Sequence, residues 1–211
     1  MRSGGRLLLT GFGAFPGVAD NATERLVPQL ADRARARWPD TAIVAAVLPV
    51  SWTEGPAMLR ALLTTHAPHL ALHFGVSGQA RGLVLETRAA NTCRAMPDAA
   101  GSLPPRDLLA ADGCDSLPAT YPAALIRDRL AARAIAACLS EDAGGYLCNA
   151  ILHTSLLETA RSGLSGFIHV PADLGETGCP LSWDAALTAG LVAIEAGLTV
   201  GPHDDNQDAG R

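Results

Sequence analysis

At 211 residues the chain can bury a sizeable core, and it most simply forms one domain over residues 1–200. Hydrophobic residues make up 48% of it, yet no run of about 18 consecutive apolar residues occurs, so no membrane span is expected. A net charge of −5 with only 16 Lys and Arg argues against a nucleic-acid partner.

The N-terminus, Met1-Arg2-Ser3-Gly4-Gly5, lacks a small-residue cleavage site, so no secretory signal is expected. Residues 6–10 read as a buried strand, ended by Gly11-Phe12-Gly13-Ala14-Phe15-Pro16-Gly17. Asn21 or Thr23 can cap a helix running toward Trp38, with Pro28 expected to kink or break it. Residues 43–50 form a second apolar run, and residues 53–66 carry Met58, Leu59, Leu62 and Leu63 at helical spacing. A third strand over 70–74 is expected to close at Gly75, and a fourth covers 83–89. Over residues 93–122 the pattern dissolves into Pro, Gly, Ser and Asp, a loop long enough to be functional or mobile. Then come a short helix at 125–132, a strand at 135–139, a helix at 147–161, a strand at 166–170 and a closing helix at 183–196. The polar, Gly/Asp-rich tail at 201–211 is expected to be disordered. Strands alternating with helices predict an α/β fold: a single-domain three-layer α/β/α sandwich with a largely parallel or mixed twisted sheet. The alternation leaves the order of the strands open.

Five cysteines, Cys93, Cys114, Cys138, Cys148 and Cys179, are odd in number and scattered without a Cys-x-x-Cys pair. Neither a disulfide framework nor a zinc knuckle is indicated, and a reducing cytoplasm fits them best. No His-x-x-x-His pair or carboxylate cluster suggests a metal, and no cofactor is expected.

Cys148 differs from the other four. It follows Gly144-Gly145, a combination suited to a tight turn, and opens a helical stretch. A helix start leaves backbone N–H groups unpaired and carries the positive end of the dipole, which favours a thiolate. A buried cysteine acting as a small hydrophobe is the plain alternative. His169 closes an apolar run, where strand ends in α/β sheets border ligand clefts; a satisfied core histidine is the alternative there. His66, His69, His73, His153 and His203 are weaker candidates, and His153 lies about 140° round the helix from Cys148. Glu86 lies among apolar residues, where an unpaired carboxylate is costly. It either orients the imidazole, as an acid does in a nucleophile–His–acid triad, or forms an ion pair with Arg81 or Arg88. Phe12 and Phe15 suggest an apolar wall for a small ring, although either can simply enter the core.

With these residues in view, the chain resembles the pyroglutamyl-peptidase I (pyrrolidone-carboxylate peptidase) family of cysteine peptidases over roughly residues 6–196. The resemblance rests on Thr10-Gly11-Phe12-Gly13-Ala14-Phe15, Leu48-Pro49-Val50-Ser51, Leu85-Glu86 and Arg94-Ala95-Met96-Pro97-Asp98. It rests most on Ala143-Gly144-Gly145-Tyr146-Leu147-Cys148-Asn149 followed by Gly166-Phe167-Ile168-His169-Val170-Pro171. It implies a Cys148–His169–Glu86 triad, Phe12 and Phe15 flanking a pyrrolidone ring, and Asn21 and Arg94 near the substrate. It further implies a thioester intermediate, small peptide substrates with a blocked N-terminus, a cytoplasmic location and a homo-oligomer, a tetramer. The sequence departs from the family at Ala14-Phe15-Pro16, at Ala22, at Val76-Ser77 and at Thr87-Arg88-Ala89-Ala90. These departures leave open a divergent thiol amidohydrolase acting on another cyclic or N-acyl amide. A non-catalytic small-molecule binder on a similar sandwich is the reading from another class.

Overall fold

A computed structural model describes residues 5–111, 113–160 and 163–200. The predicted tail and His203 lie outside them, as do Arg161 and residues 1–4. Strand and helix alternate through β1 (Arg6–Phe12), α1 (Ala22–Arg37), β2 (Ala42–Leu48), α2 (Glu54–His66) and β3 (Leu70–Ser77). There follow β4 (Leu83–Glu86), β5 (Arg88–Ala90), β6 (Ser116–Pro118), α3 (Ala123–Ala131) and β7 (Ala137–Ser140). The chain then continues through α4 (Leu147–Thr159), β8 (Leu164–Pro171) and α5 (Trp183–Val200).

Six strands form one sheet in the order β2-β1-β3-β8-β4-β7. β2, β1, β3 and β8 are mutually parallel, while β4 runs antiparallel to β8 and parallel to β7, so the sheet is mixed. The inner strands bury both faces: β8 is buried along its whole length, and β1 is buried after Arg6. That is why they read as continuous apolar runs rather than alternating ones. One face packs against α1, α3 and α5 through Leu26, Leu30, Ile126, Leu187 and Ile194. The other packs against α2 and α4 through Leu59, Leu63, Leu147 and Ile151. The result is the expected three-layer sandwich.

Three boundary expectations need correction. The run at 83–89 is two strands in two sheets. Thr87 donates through both its N–H and its hydroxyl to the Ser140 carbonyl, and beyond it the chain leaves the main sheet to pair β5 with β6. Gly75 does not end β3, which continues to Ser77 in register with β8. Pro28 does not break α1: it faces solvent, so its missing N–H leaves an acceptor that water can satisfy. Among the described residues, α5 is long and apolar enough to cross a membrane, but half of it is buried against the core. Tight packing explains that composition, with Gly190 seated against Leu30 and Gly197 against Leu70.

Candidate active site

The antiparallel pairing of β4 with β8 sets Val84 opposite His169 and Glu86 opposite Phe167. Directly opposed residues share a face, so Glu86 and His169 are diagonal neighbours on one side of the sheet. His169 Nδ1 lies 2.8 Å from Glu86 Oε1, both residues being buried. With Nδ1 engaged, Nε2 is the ring nitrogen left for the next partner. The group next to it is Cys148, whose sulfur lies over Gly75, the ladder partner of His169, and acts on the imidazole. The alternative ion pairs for Glu86 do not form: Arg88 reaches Glu141 at 3.8 Å, and Arg81 donates to the Ala80 carbonyl.

Cys148 is the second residue of α4 and is partly exposed. The residue capping that helix, Tyr146, offers no side-chain acceptor, so the first-turn N–H groups beside the sulfur remain available to an anion. The turn ahead of it requires Gly144, at φ +77°, a left-handed conformation that costs other residues about 1 kcal/mol or more. Below the sulfur lies Gly75, paired with His169 across the β3–β8 ladder. A methyl group there would stand 3.0 Å from Cys148 Sγ and 2.8 Å from Phe167 Cζ. The bare backbone of β3 is therefore the floor on which the thiol rests.

The electrostatics separate these groups from the rest. Burial disfavours the charged form of His169, but the Cys148 sulfur and the Glu86 carboxylate outweigh it and push the imidazole up to about 10. Glu86 Oε2 is buried without a hydrogen-bond partner among the described residues, so His169 is the group that compensates this carboxylate. His73, on the same sheet face, goes the other way. It is held between Thr10 Oγ1 at 2.7 Å and Ser155 Oγ at 2.8 Å, and burial lowers it to about 3. Cys93 is buried, and burial aided by Asp107 pushes its thiol up. Among the described residues it has neither an imidazole partner nor a helix start.

Phe12 and Phe15 both lie on the Cys148 side of the sheet. Phe12 is buried with its ring 6.4 Å from Phe167, while Phe15, on the loop after β1, is half-buried 6.5 Å from Tyr146. Tyr146 in turn meets Trp52 edge-on at 5.3 Å and donates to the Pro97 carbonyl. Tyr146 and Trp52 thus extend an aromatic wall of which sequence reasoning singled out only the two phenylalanines. Asn21 is buried and caps α1 by accepting from Thr23 N–H, while its Nδ2 donates to the Gly13 carbonyl at 3.1 Å. It braces the loop that carries Phe15. Arg94 is exposed, its stem lies over Gly145, and its backbone N–H donates to the Gly145 carbonyl at 2.7 Å. Its guanidinium forms no hydrogen bond or ion pair among the described residues. Val76 packs toward the α1–α5 core, on the face opposite Cys148.

Sequence reasoning also passed over Asn149. This fully buried side chain accepts from Ala90 N–H and donates to the Ala90 and Thr92 carbonyls, binding the start of α4 to β5. Gly75 had a usable signal, since glycine inside an apolar strand marks a close approach.

A family model described as pyroglutamyl peptidase matches residues 5–199. A pyrrolidone-carboxylate peptidase of Pyrococcus furiosus is 30% identical over 206 residues, covering 92% of this chain and 98% of that protein. Human pyroglutamyl-peptidase 1 is 29% identical, covering 78% of each chain. Among solved structures, a mutant pyrrolidone carboxyl peptidase from P. furiosus superposes with TM-score 0.84 at 30% identity, over 92% of this chain and 99% of that one. The pyrrolidone carboxyl peptidase of Thermococcus litoralis gives TM-score 0.83 at 26% identity, over 92% of this chain and 94% of that one.

Proposed function

Because the chain belongs to the pyroglutamyl peptidase family of hydrolases, we propose that it removes N-terminal pyroglutamate from peptides through Cys148, His169 and Glu86. The observation that carries this reading is one imidazole held at 2.8 Å by the Glu86 carboxylate beside the Cys148 sulfur, which rests over Gly75, the ladder partner of His169. The lactam ring enters beside Phe12 and Phe15, with Tyr146 closing the wall. A pyroglutamyl terminus has no ammonium, so the slot needs no acidic counter-charge. This is a feature the aromatic lining supports.

In the reaction His169 holds the proton and Cys148 attacks as thiolate, forming the C–S bond. The carbonyl oxygen takes up the negative charge, facing the N–H groups at the start of α4, with the Arg94 guanidinium, unpartnered among the described residues, close by. A well-placed donor of this kind is typically worth about 3 kcal/mol. His169 passes its proton to the leaving amine as the C–N bond breaks. Water then attacks the thioester, giving a proton to His169, and the C–S bond breaks to release pyroglutamate. Glu86 holds the imidazole in the tautomer and orientation that both proton transfers need.

The test is turnover of a pyroglutamyl-arylamide by the wild type, Cys148→Ala and Cys148→Ser. Both variants are expected to fold and to lose activity by at least about a thousandfold; full activity in Cys148→Ala overturns the mechanism. The reading as an amidohydrolase for another cyclic or N-acyl amide now rests on the changed loop at 13–17, since Val76 lies on the other sheet face. A panel of N-blocked arylamides separates it from pyroglutamate removal. A binder without catalysis would keep its ligand affinity after thiol alkylation.

A further inference from the structure

Tyr146 provides no side-chain cap to α4, so the helix end that carries Cys148 must be held by other contacts. The residue after the cysteine supplies them. Asn149 is fully buried, and its Oδ1 accepts from the Ala90 N–H at 2.8 Å. Its Nδ2 donates to the Ala90 and Thr92 carbonyls at 2.8 and 3.2 Å. One amide thus engages both backbone groups of Ala90, as a neighbouring strand would. Removing it would strand buried partners, and each orphaned group is costly.

The place of Ala90 in the chain gives this contact a second meaning. Ala90 ends β5, four residues after Glu86. The intervening segment is pinned at its other end by Thr87, whose N–H and hydroxyl donate to the Ser140 carbonyl at 2.7 and 2.8 Å. Pairing with β6 holds β5 along its length. So short a stretch, fixed at both ends, has no slack. Carboxylate and sulfur are therefore joined through one backbone segment and one side chain. The imidazole has Glu86 at 2.8 Å on one side and, on the other, the sulfur over its ladder partner Gly75.

We propose that Asn149 is a positioning residue: through β5 it fixes the Cys148 sulfur relative to the His169–Glu86 pair. It acts through Cys148 and is not itself a catalytic residue. The inference rests on the reading of Cys148 as the nucleophile, and its consequence is specific. With the link cut, the first turn of α4 can shift against β4 and β8, while Phe12 and Phe15 keep their places on other elements. Binding of the ring is then spared and the chemical step is slowed.

The test compares Asn149→Leu, similar in volume but unable to form these bonds, with Asn149→Asp. Burial keeps the introduced acid neutral, so it can accept from the Ala90 N–H and donate to one of the carbonyls. Leu156→Ala, which removes buried apolar contact elsewhere on α4, is the control for general loosening. On a pyroglutamyl-arylamide, Asn149→Leu should lower kcat about a hundredfold, as a misplacement of about 1 Å does, with KM little changed. The alkaline limb of its kcat/KM should move to lower pH. The charged groups facing His169 are Cys148 of α4 and Glu86 of β4, and withdrawing the sulfur leaves only one to hold the proton. Asn149→Asp should stay within about fivefold of the wild type. Leu156→Ala should lower the urea midpoint and leave the alkaline limb in place.

A second arm needs no turnover. At pH about 6 an unassisted thiol is under about 1% ionised. Iodoacetamide, followed by mass spectrometry, should then label Cys148 about tenfold more slowly in Asn149→Leu than in the wild type. The exposed Cys114 and Cys138 serve as references within the same chain. A wild type that labels rapidly at Cys148 but spares the arylamide refutes the proposed substrate, and the labelling arm then decides the inference. The inference falls if Asn149→Leu keeps wild-type kcat and labelling, or if Asn149→Asp loses as much as Asn149→Leu. It falls equally if Leu156→Ala displaces the alkaline limb as far, or if Asn149→Leu does not fold, since the residue would then serve the fold as a whole.

Discussion

Two histidines on one sheet face show how neighbours decide what an imidazole does. His73 has only hydroxyl partners, so burial makes it neutral, lowered to about 3. His169 is nearly as buried but faces a sulfur and a carboxylate, and they raise it to about 10 despite the burial. The proposed chemistry needs the second case, because the leaving amine takes its proton from an imidazolium. The sign of the pH dependence follows. kcat/KM should hold through neutral pH and fall as His169 loses its proton near 10. Replacing Glu86 by Gln removes one of the two charges that hold that proton, so the alkaline limb should move to lower pH. The maximal rate should also drop, but by less than in Cys148→Ala, because an orienting group is lost and the nucleophile remains. A pH–rate profile of both forms checks this, and an alkaline limb displaced upward in Glu86→Gln would contradict the role given to the carboxylate.

At the scale of elements, the site is an agreement among three registers. β3 against β8 places Gly75 beside His169, β4 against β8 places Glu86 diagonally from it, and α4 sets its second residue down on the bare glycine. The floor position is the sensitive one. In Gly75→Ala the added methyl would contact Sγ and the Phe167 ring at 3.0 and 2.8 Å, and neither neighbour is the loose end of a long side chain. We expect activity to fall at least about a hundredfold, because a misplacement of about 1 Å is enough for that. Stability should fall by about 1–3 kcal/mol from overpacking. Gly78→Ala is the control: three residues further on, an added methyl meets nothing within 4 Å and should change neither quantity appreciably. Arylamide turnover and urea midpoints on both variants measure the contrast. Equal loss in the two would mean that the strand as a whole, not the floor beneath the sulfur, is what tolerates no side chain.

For the whole molecule, what could be read in advance was what local chemistry encodes. Apolar runs marked the strands, a glycine pair before a helix marked Cys148, and a carboxylate stranded among leucine and valine marked Glu86. The insertion of β8 between β3 and β4 could not be read, since residues nearly a hundred positions apart decide it. The same holds for Gly75, Tyr146, Trp52 and Asn149, whose meaning lies in what crosses them. A buried polar chain shows how those distant elements are tied. Thr10 of β1, His73 of β3, Ser155 of α4 and Ser165 of β8 are linked by hydrogen bonds of 2.7 to 2.8 Å, so every element that carries a site residue except β4 meets in it. The chain predicts an acid weakness. Folded His73 stays neutral down to about 3, whereas in the unfolded chain it takes a proton near its ordinary 6.5. Between those values the unfolded state binds more protons, so stability falls as pH drops through 6.5 toward 3, and above 6.5 this contribution is flat. His169 works the other way above about pH 6, where the folded imidazole holds a proton that the unfolded one has largely lost; below about pH 6 it is protonated in both states and adds little slope. Urea unfolding at pH about 6 and 5, where most carboxylates remain ionised, should therefore show stability declining with acidity. His73→Gln should be less stable at pH about 7, since the hydroxyls lose a fitted partner, yet decline less steeply. Parallel slopes for the two proteins would mean that the proton enters elsewhere.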